Sequence, residues 1–208
     1  MRQSLIAESY YQATANRHDA HPALTGDHVC DVVVVGGGFT GLSAALVLAE
    51  AGFSVTVLEA GHIGAGASGR NGGQVCTGFS PGQARLETQV SKADAQRCFD
   101  IAEEAKDLIE ARIAGHKIDC NLVWGYLHCI PKPSQMDMLR EWRDEYEALG
   151  YSGCTVLDKQ ALQEKLGSTL YHGAMREPRA GHFHTLNYLT GLAAAAARAG
   201  ARIHENTR

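Results

Sequence analysis

Three stretches of this sequence predict an α/β fold built on a parallel sheet. Asp31 leads into four β-branched residues, Val32 to Val35, followed by Gly36, Gly38 and Gly41 in G-x-G-x-x-G spacing. Leu42, Ala45, Leu46, Leu48 and Ala49 then recur at helical period until Gly52, and a strand-like Phe53–Leu58 ends on Glu59, 18 residues beyond Gly41. Near its end the chain returns to a helix, about Leu186 to Ala199, and a strand, Ala201 to Glu205. The first two stretches make a complete βαβ half-unit of the Rossmann-like type, and the third supplies one more strand. An apolar run such as Val32–Val35 is expected to be buried on both faces of a parallel sheet.

Each glycine has a separate job in such a unit. Gly36 permits the tight turn out of the strand. Gly38 lets a pyrophosphate approach the backbone without meeting a Cβ, and Gly41 lets the helix pack closely on the sheet. The N–H groups at the helix start, from Phe39 through Thr40 and Gly41 to Leu42, carry the positive end of the helix dipole and suit a diphosphate. Glu59 is placed to accept hydrogen bonds from ribose hydroxyls, and it repels a 2′-phosphate, which disfavours an NADP-type ligand. A dinucleotide is expected here.

From Ala60 to Gln74, six of fifteen residues are glycine, too many for a packed helix or a two-sided strand. Gly and Ser alone would suit a flexible surface loop. The segment starts one residue past Glu59, however, so it passes the strand ends where ligands sit in doubly wound folds. There Ser68 and backbone N–H groups are placed to donate to phosphate oxygens, and Arg70 to offset their charge.

Composition excludes several classes. A hydrophobic share of 45% and a charged share of 20% are ordinary for a soluble globular protein. The net charge of −4 gives no reason to expect nucleic acid or an anionic membrane as partner. No apolar run approaches the roughly 18 residues that span a bilayer. The N-terminal stretch Met1–Tyr11 lacks the apolar core of a secretory signal, so the cytoplasm is the expected compartment. Six cysteines without C-x-x-C spacing read as reduced thiols, and ten histidines without ligand spacing give no reason to expect a metal.

In chain order, residues 1–29 read as a polar arm, extended over Asn16–Pro22, with Tyr10 and Tyr11 either pinned to the body or exposed. Residues 91–114 read as a long helix with Cys98, Ile101, Ala102, Ala105, Leu108, Ile109 and Ile113 inward. Its Glu103, Glu104, Lys106, Asp107 and Glu110 read as a solvated face. Residues 121–130 read as a strand ended by Pro131 and Pro133. A helix from about Ser134 follows, with Leu139, Trp142, Tyr146 and Leu149 inward and Gly150 as its stop. Thr155–Leu157 reads as a short strand, and Asp158 as the N-cap of a helix over Lys159–Leu166. The stretch Gly167–Phe183, with Arg176, Arg179 and His182, reads as irregular.

The expected layout is an arm (1–29), the first part of a nucleotide-binding domain (30–118), the start of an α+β substrate domain (119–180) and a return to the first domain (181–208). Only three strands are available for the parallel sheet, which is therefore incomplete. With the chain ending at Arg208 soon after a strand, an N-terminal fragment of a longer protein is expected, inactive by itself.

The chain resembles the FAD-dependent amine oxidoreductases related to D-amino-acid oxidase, glycine oxidase and sarcosine oxidase, and within them the γ-glutamylputrescine oxidase-like branch. The matching segments are Ser9–Asn16 (SYYQATAN), Val35–Ala45 (VGGGFTGLSAA), Leu58–Ala60 (LEA) and Gly64–Gln74 (GAGASGRNGGQ). Weaker matches are Tyr171–Gly173 and His182–Leu192, where Thr185 stands in the place of a proline that relatives tend to have after His184.

The resemblance implies FAD as cofactor, held by Gly36, Gly38, Phe39, Thr40, Gly41, Glu59 and Ala60. Ser68, Gly69, Arg70, Asn71, Gly72, Gly73 and Gln74 would run beside its pyrophosphate and flavin. It further implies oxidation of a small-molecule primary or secondary amine by hydride transfer to flavin N5. The imine product hydrolyses, and oxygen takes the electrons to give hydrogen peroxide. The alternatives are a dehydrogenase that passes electrons to a carrier, or a catalytically incomplete fragment. No catalytic side chain is implied, because the flavin carries the redox chemistry and the protein positions and desolvates the amine.

Overall fold

In a computed structural model of the chain, residues 9–16 and 20–208 are described. The first eight residues of the N-terminal stretch Met1–Tyr11 and residues 17–19 of the expected extended arm lie outside them. The chain forms two compact units. The first comprises Met1–Gly73, Ile109–Leu122 and Phe183–Arg208, and the second comprises Gln74–Leu108 and Val123–His182. Within the span 30–118 expected for the first part of the nucleotide-binding domain, Gln74–Leu108 groups with the second unit.

The first unit holds a three-stranded parallel sheet of β1 (Val32–Val35), β2 (Val55–Leu58) and β7 (Arg202–His204), in the order β1-β2-β7. Val32 pairs with Val55 and Thr56 with Arg202, which sets β2 in the middle. Between β1 and β2 runs helix α2 (Phe39–Glu50), and Gly52 at φ +89° ends its last turn. Helix α7 (Thr185–Arg198) precedes β7 and packs against α2. Leu42, Ala45, Leu46 and Ala49 of α2 are buried, as are Leu186, Leu189, Leu192 and Ala196 of α7. A short helix, α1 (Tyr10–Thr14), also lies against α7.

Burial on both faces belongs to β2, where Val55, Thr56 and Val57 are all buried, and not to β1. Val33 is 54% and Val35 86% exposed. The expectation for Val32–Val35 is corrected accordingly. β1 is an edge strand with α2 on one face only, where Val34 meets Gly41.

The second unit is an antiparallel sheet in the order β3-β6-β4: β3 (Gln74–Val75), β6 (Gly173–His182) and β4 (Val123–Ile130). β4 pairs along one edge of β6, while β3 and β5 (Thr155–Asp158) share the other edge at opposite ends. β6 replaces the irregular stretch expected at Gly167–Phe183. Its sequence has no β-branched residue and includes Pro178, which cannot donate to a ladder. The fold tolerates Pro178 because β5 stops at Arg176, β3 begins at Gly181 and β4 shifts register between Trp124 and Tyr126.

The remaining helices are α3 (Gln83–Glu87), α5 (Met136–Ala148) and α6 (Lys159–Gln163) in this unit, and α4 (Lys92–His116), of which Lys92–Leu108 belongs to this unit and the rest to the first. On α5 Leu139 and Tyr146 are buried and Trp142 partly so, as is Leu149 at its C-cap, against Phe99, Ile130, Tyr151 and Met175. The face expected for α4 is corrected. Ala95, Phe99 and Lys106 are its buried residues, while Ile101 is 53% and Leu108 48% exposed. Among the described residues no helix is long and apolar enough to cross a membrane.

Candidate functional site

The site is built at the start of α2. Gly36 sits at φ +100°, the left-handed turn that takes the chain out of β1. Gly41 lies so close to the Gly36 carbonyl that a Cβ would overlap it, and that closeness seats α2 on β1. Gly38 is the N-cap and has no side chain to satisfy the helix start. A Cβ at Gly38 would stand 3.0 Å from the Ser68 hydroxyl. The Phe39 N–H donates to Ser68 Oγ at 3.1 Å. Leu42 N–H already donates to the Gly38 carbonyl at 2.9 Å. The donors that suit an anion therefore end at Gly41 rather than at Leu42, since only the first N–H groups of a helix lack an intrahelical acceptor.

Glu59, at the tip of β2, ties two turns together. Its Oε2 accepts from Gly37 N–H at 2.7 Å and its Oε1 from Gly61 N–H at 2.8 Å. Each carboxylate oxygen has a second acceptor position. Ala60 beside it is exposed.

The glycine-rich segment is braced along its length rather than left as a free loop. Ala67–Gly69 form one 3₁₀ turn. The Ser68 carbonyl accepts from Thr185 Oγ1 at 2.9 Å and from Asn71 Nδ2 at 3.0 Å. Asn71 Oδ1 accepts from Gly73 N–H, and the Gly73 carbonyl accepts from Phe183 N–H. Arg70 Nε donates to the Ala65 carbonyl at 3.0 Å, while Gly69 is buried and Gly72 exposed. At the segment's start, Asn206 N–H donates to the Gly61 carbonyl at 2.9 Å, and Ile63 N–H to Glu205 Oε1 at 2.7 Å.

Two residues of this brace were missed by sequence reasoning. Glu205 is 2% exposed, and besides Ile63 it accepts from His21 N–H at 3.0 Å. Burial pushes its carboxyl up, but those backbone N–H groups and the nearby His62 and His21 outweigh it, so the group lies below its ordinary range. The signal was available, since Glu205 follows its strand as Glu59 follows β2. Thr185 is fully buried and uses its hydroxyl to hold the Ser68 turn. The fold thus brings the predicted residues from Gly36 to Gly73 together in the first unit. Gln74 belongs to the second, where its Nε2 donates to Tyr126 Oη at 2.9 Å.

The second unit carries a buried charged network of its own. Glu177 on β6 is 1% exposed and accepts from the Thr77 hydroxyl, from Tyr151 Oη at 3.3 Å and from His128 Nε2 at 2.7 Å. Lys106, 2% exposed, donates to Thr77 Oγ1 at 2.6 Å and pairs with Glu103 at 2.7 Å. Its ammonium lies 4.8 Å from the centre of the Tyr151 ring. Burial pushes Glu177 up, but the hydrogen bonds from His128 and Thr77 and the charges of His128 and Lys106 bring it below the ordinary range. Lys106 was expected on a solvated face, because a lysine in a run of acids gives no sign of partners from other elements.

The sequence pattern of the DAO family, described as FAD dependent oxidoreductase, matches residues 31–208. The chain belongs to this family. It is 40% identical over 197 residues to gamma-glutamylputrescine oxidoreductase of Escherichia coli (strain K12), covering 95% of this chain and 46% of that protein. It is also 40% identical over 200 residues to the probable oxidoreductase OrdL of Haemophilus influenzae, covering 96% of this chain and 46% of that one. The crystal structure of glycine oxidase from Geobacillus kaustophilus superposes with a TM-score of 0.65 at 27% identity, over 86% of this chain and 47% of that chain. The chain spans about half the length of the curated relatives it matches.

FAD is the cofactor of the DAO family. The α2 start, whose glycine N-cap supplies no side chain and where a side chain would crowd Ser68, fits a dinucleotide's phosphates.

Proposed function

We propose that this chain forms the nucleotide-holding part of an FAD-dependent oxidase of primary or secondary amines, with γ-glutamylputrescine as the first substrate to try. The observation that carries the reading is the start of α2, where a glycine N-cap leaves backbone N–H groups facing the Ser68 turn. In this reading Gly36 makes the turn, the backbone N–H groups of Gly38, Thr40 and Gly41 face the pyrophosphate, and Phe39 acts through the Ser68 hydroxyl, which accepts from the Phe39 N–H and donates to the phosphate. Glu59 uses its remaining acceptor positions for ribose hydroxyls beside Ala60. Gly69, Arg70, Asn71, Gly72 and Gly73 continue the run beside the phosphates, with Arg70 offsetting their charge.

FAD supplies an acceptor for the hydride equivalent that leaves the carbon next to the amine nitrogen. What falls to the protein is binding, orientation and exclusion of water. The amine class is supported by the relative named gamma-glutamylputrescine oxidoreductase and by the structural neighbour named glycine oxidase.

The purified full-length parent of this chain is expected to show the visible absorption of bound flavin, and its absence defeats the reading. Peroxide release with γ-glutamylputrescine, sarcosine, glycine and D-alanine then separates substrate classes. Flavin bleaching by an amine without peroxide would instead favour electron transfer to a carrier. Glu59→Ala is expected to weaken FAD retention by about 1–3 kcal/mol, the cost of losing a charged hydrogen-bonding group, and unchanged retention removes Glu59 from the site.

A further inference from the structure

The segment Ser9–Asn16 precedes β1 in the first unit and has no part in the site as described so far. It is nevertheless a well-formed element. Ser9 Oγ accepts from Gln12 N–H at 3.2 Å and Gln12 Oε1 from Ser9 N–H at 2.9 Å, a reciprocal capping box that starts α1. Gln12 Oε1 also accepts from Arg70 Nη2 at 3.3 Å. Tyr11 meets the His184 ring edge-on at 5.0 Å, and its hydroxyl would stand 3.4 Å from a Cβ on Gly73. Asn16 N–H donates to Asn187 Oδ1 at 2.8 Å, and Asn16 Nδ2 to the Asp119 carbonyl at 3.0 Å.

The contact between Thr14 and His184 decides what the arm does. The Thr14 hydroxyl donates its only proton to the Tyr10 carbonyl at 2.7 Å, so toward His184 Nε2, 3.0 Å away, it acts as acceptor. His184 is the N-cap of α7, and its Nδ1 accepts from Asn187 N–H at 3.1 Å. The two contacts require one tautomer, with the proton on Nε2. The arm thereby fixes the ring that caps α7. The next residue, Thr185, holds the Ser68 carbonyl, and Ser68 Oγ holds the first N–H of α2. An unbroken series of contacts runs from Thr14 to the phosphate-facing helix start.

From this series we infer that Ser9–Asn16 is a clasp that keeps the Ser68 turn and Arg70 in place for the cofactor, with Thr14 a positioning residue acting through His184. The inference rests on the reading that the Ser68 turn and the α2 start hold FAD. Thr14 is exposed, so Thr14→Val removes the acceptor while preserving side-chain shape.

Two measurements on the purified full-length parent of this chain test it: the rate of FAD loss on dilution, and hydrogen–deuterium exchange of the Gly61–Gly73 amides without FAD. Thr14→Val is expected to release FAD about three- to tenfold faster, the effect of one hydrogen bond, and to raise exchange in that segment. Thr14→Ser should restore both. Unchanged exchange overturns the clasp. Faster exchange with unchanged FAD loss overturns its link to the cofactor. If the wild-type full-length parent holds no flavin, the cofactor reading itself falls, a result distinct from a wild type that holds FAD and a variant that holds it equally well.

Discussion

Glu205 in the first unit and Glu177 in the second are almost equally buried, at 2% and 1% exposure, and are satisfied by different kinds of donor. Glu205 is held by the backbone N–H groups of Ile63 and His21. Glu177 is held by the side chains of His128, Thr77 and Tyr151, with Lys106 one hydroxyl further away. Backbone donors cannot be mutated away and are neutral, so Glu205 serves as a local tie between segments. Side-chain donors include charges that are themselves buried, so Glu177 is one member of a set whose parts depend on each other.

The largest expected effect is at Glu177. Glu177→Ala leaves the Lys106 ammonium with less compensating charge and orphans the Thr77, Tyr151 and His128 donors. A loss of about 3–5 kcal/mol in urea unfolding is expected, the range for breaking a buried charge pair. Adding Lys106→Met should recover part of that loss, because removing both charges costs less than removing either one. Strict additivity in this double-mutant cycle would show that the two residues do not act together.

Glu205→Gln is expected to cost less, about 1–3 kcal/mol. The amide keeps one acceptor oxygen for Ile63 or His21 and turns an NH₂ toward the other donor. The loss should be local, seen as faster amide exchange around Ile63 with little change at Glu177. Equal loss of protection in both units would break the comparison.

Acid should probe the two carboxyls by the same mechanism. Both lie below the ordinary value of 4.5 in the folded chain, so each contributes stability that is present above pH 4.5 and lost as pH falls through its folded-state pKa. Stability is expected to fall with decreasing pH from about 4.5 downward, and Glu177→Gln and Glu205→Gln should each flatten that fall. A variant that keeps the wild-type slope removes its carboxyl from the acid response.

The difference between the units also explains what the sequence revealed. The βαβ unit was legible because local rules agree there: β-branched residues, three glycines in fixed spacing, and an acid at a strand end. The α5 face was legible because Leu139, Trp142, Tyr146 and Leu149 follow helical period. β6 was not, because its strand character comes from ladders on both edges and not from Met175, Arg176, Glu177 or Pro178. Lys106 was misread for the same reason, since its partners Thr77 and Tyr151 are 29 and 45 residues away in sequence. The brace on the Gly-rich segment depended likewise on Thr185 and Glu205, far along the chain. Local pattern reports local structure, and a buried polar residue declares itself only through partners the fold brings to it.

The smallest effect concerns two threonines that make the comparison in miniature. Thr185 donates to a neutral carbonyl, that of Ser68, which Asn71 also holds. Thr77 donates to the Glu177 carboxylate and accepts from Lys106, so its hydroxyl serves two charged groups at once. Hydrogen bonds to charged groups are worth about 1.5–3 kcal/mol and neutral ones about 0.5–1.5 kcal/mol. Thr77→Val should therefore destabilise the chain by more than Thr185→Val, and Thr185→Val by no more than about 1.5 kcal/mol. Thr185→Ser should retain the contact to Ser68. If Thr185→Val proves the costlier of the two in urea unfolding, the tie across the first unit matters more to the fold than the charged network, and the ranking is reversed.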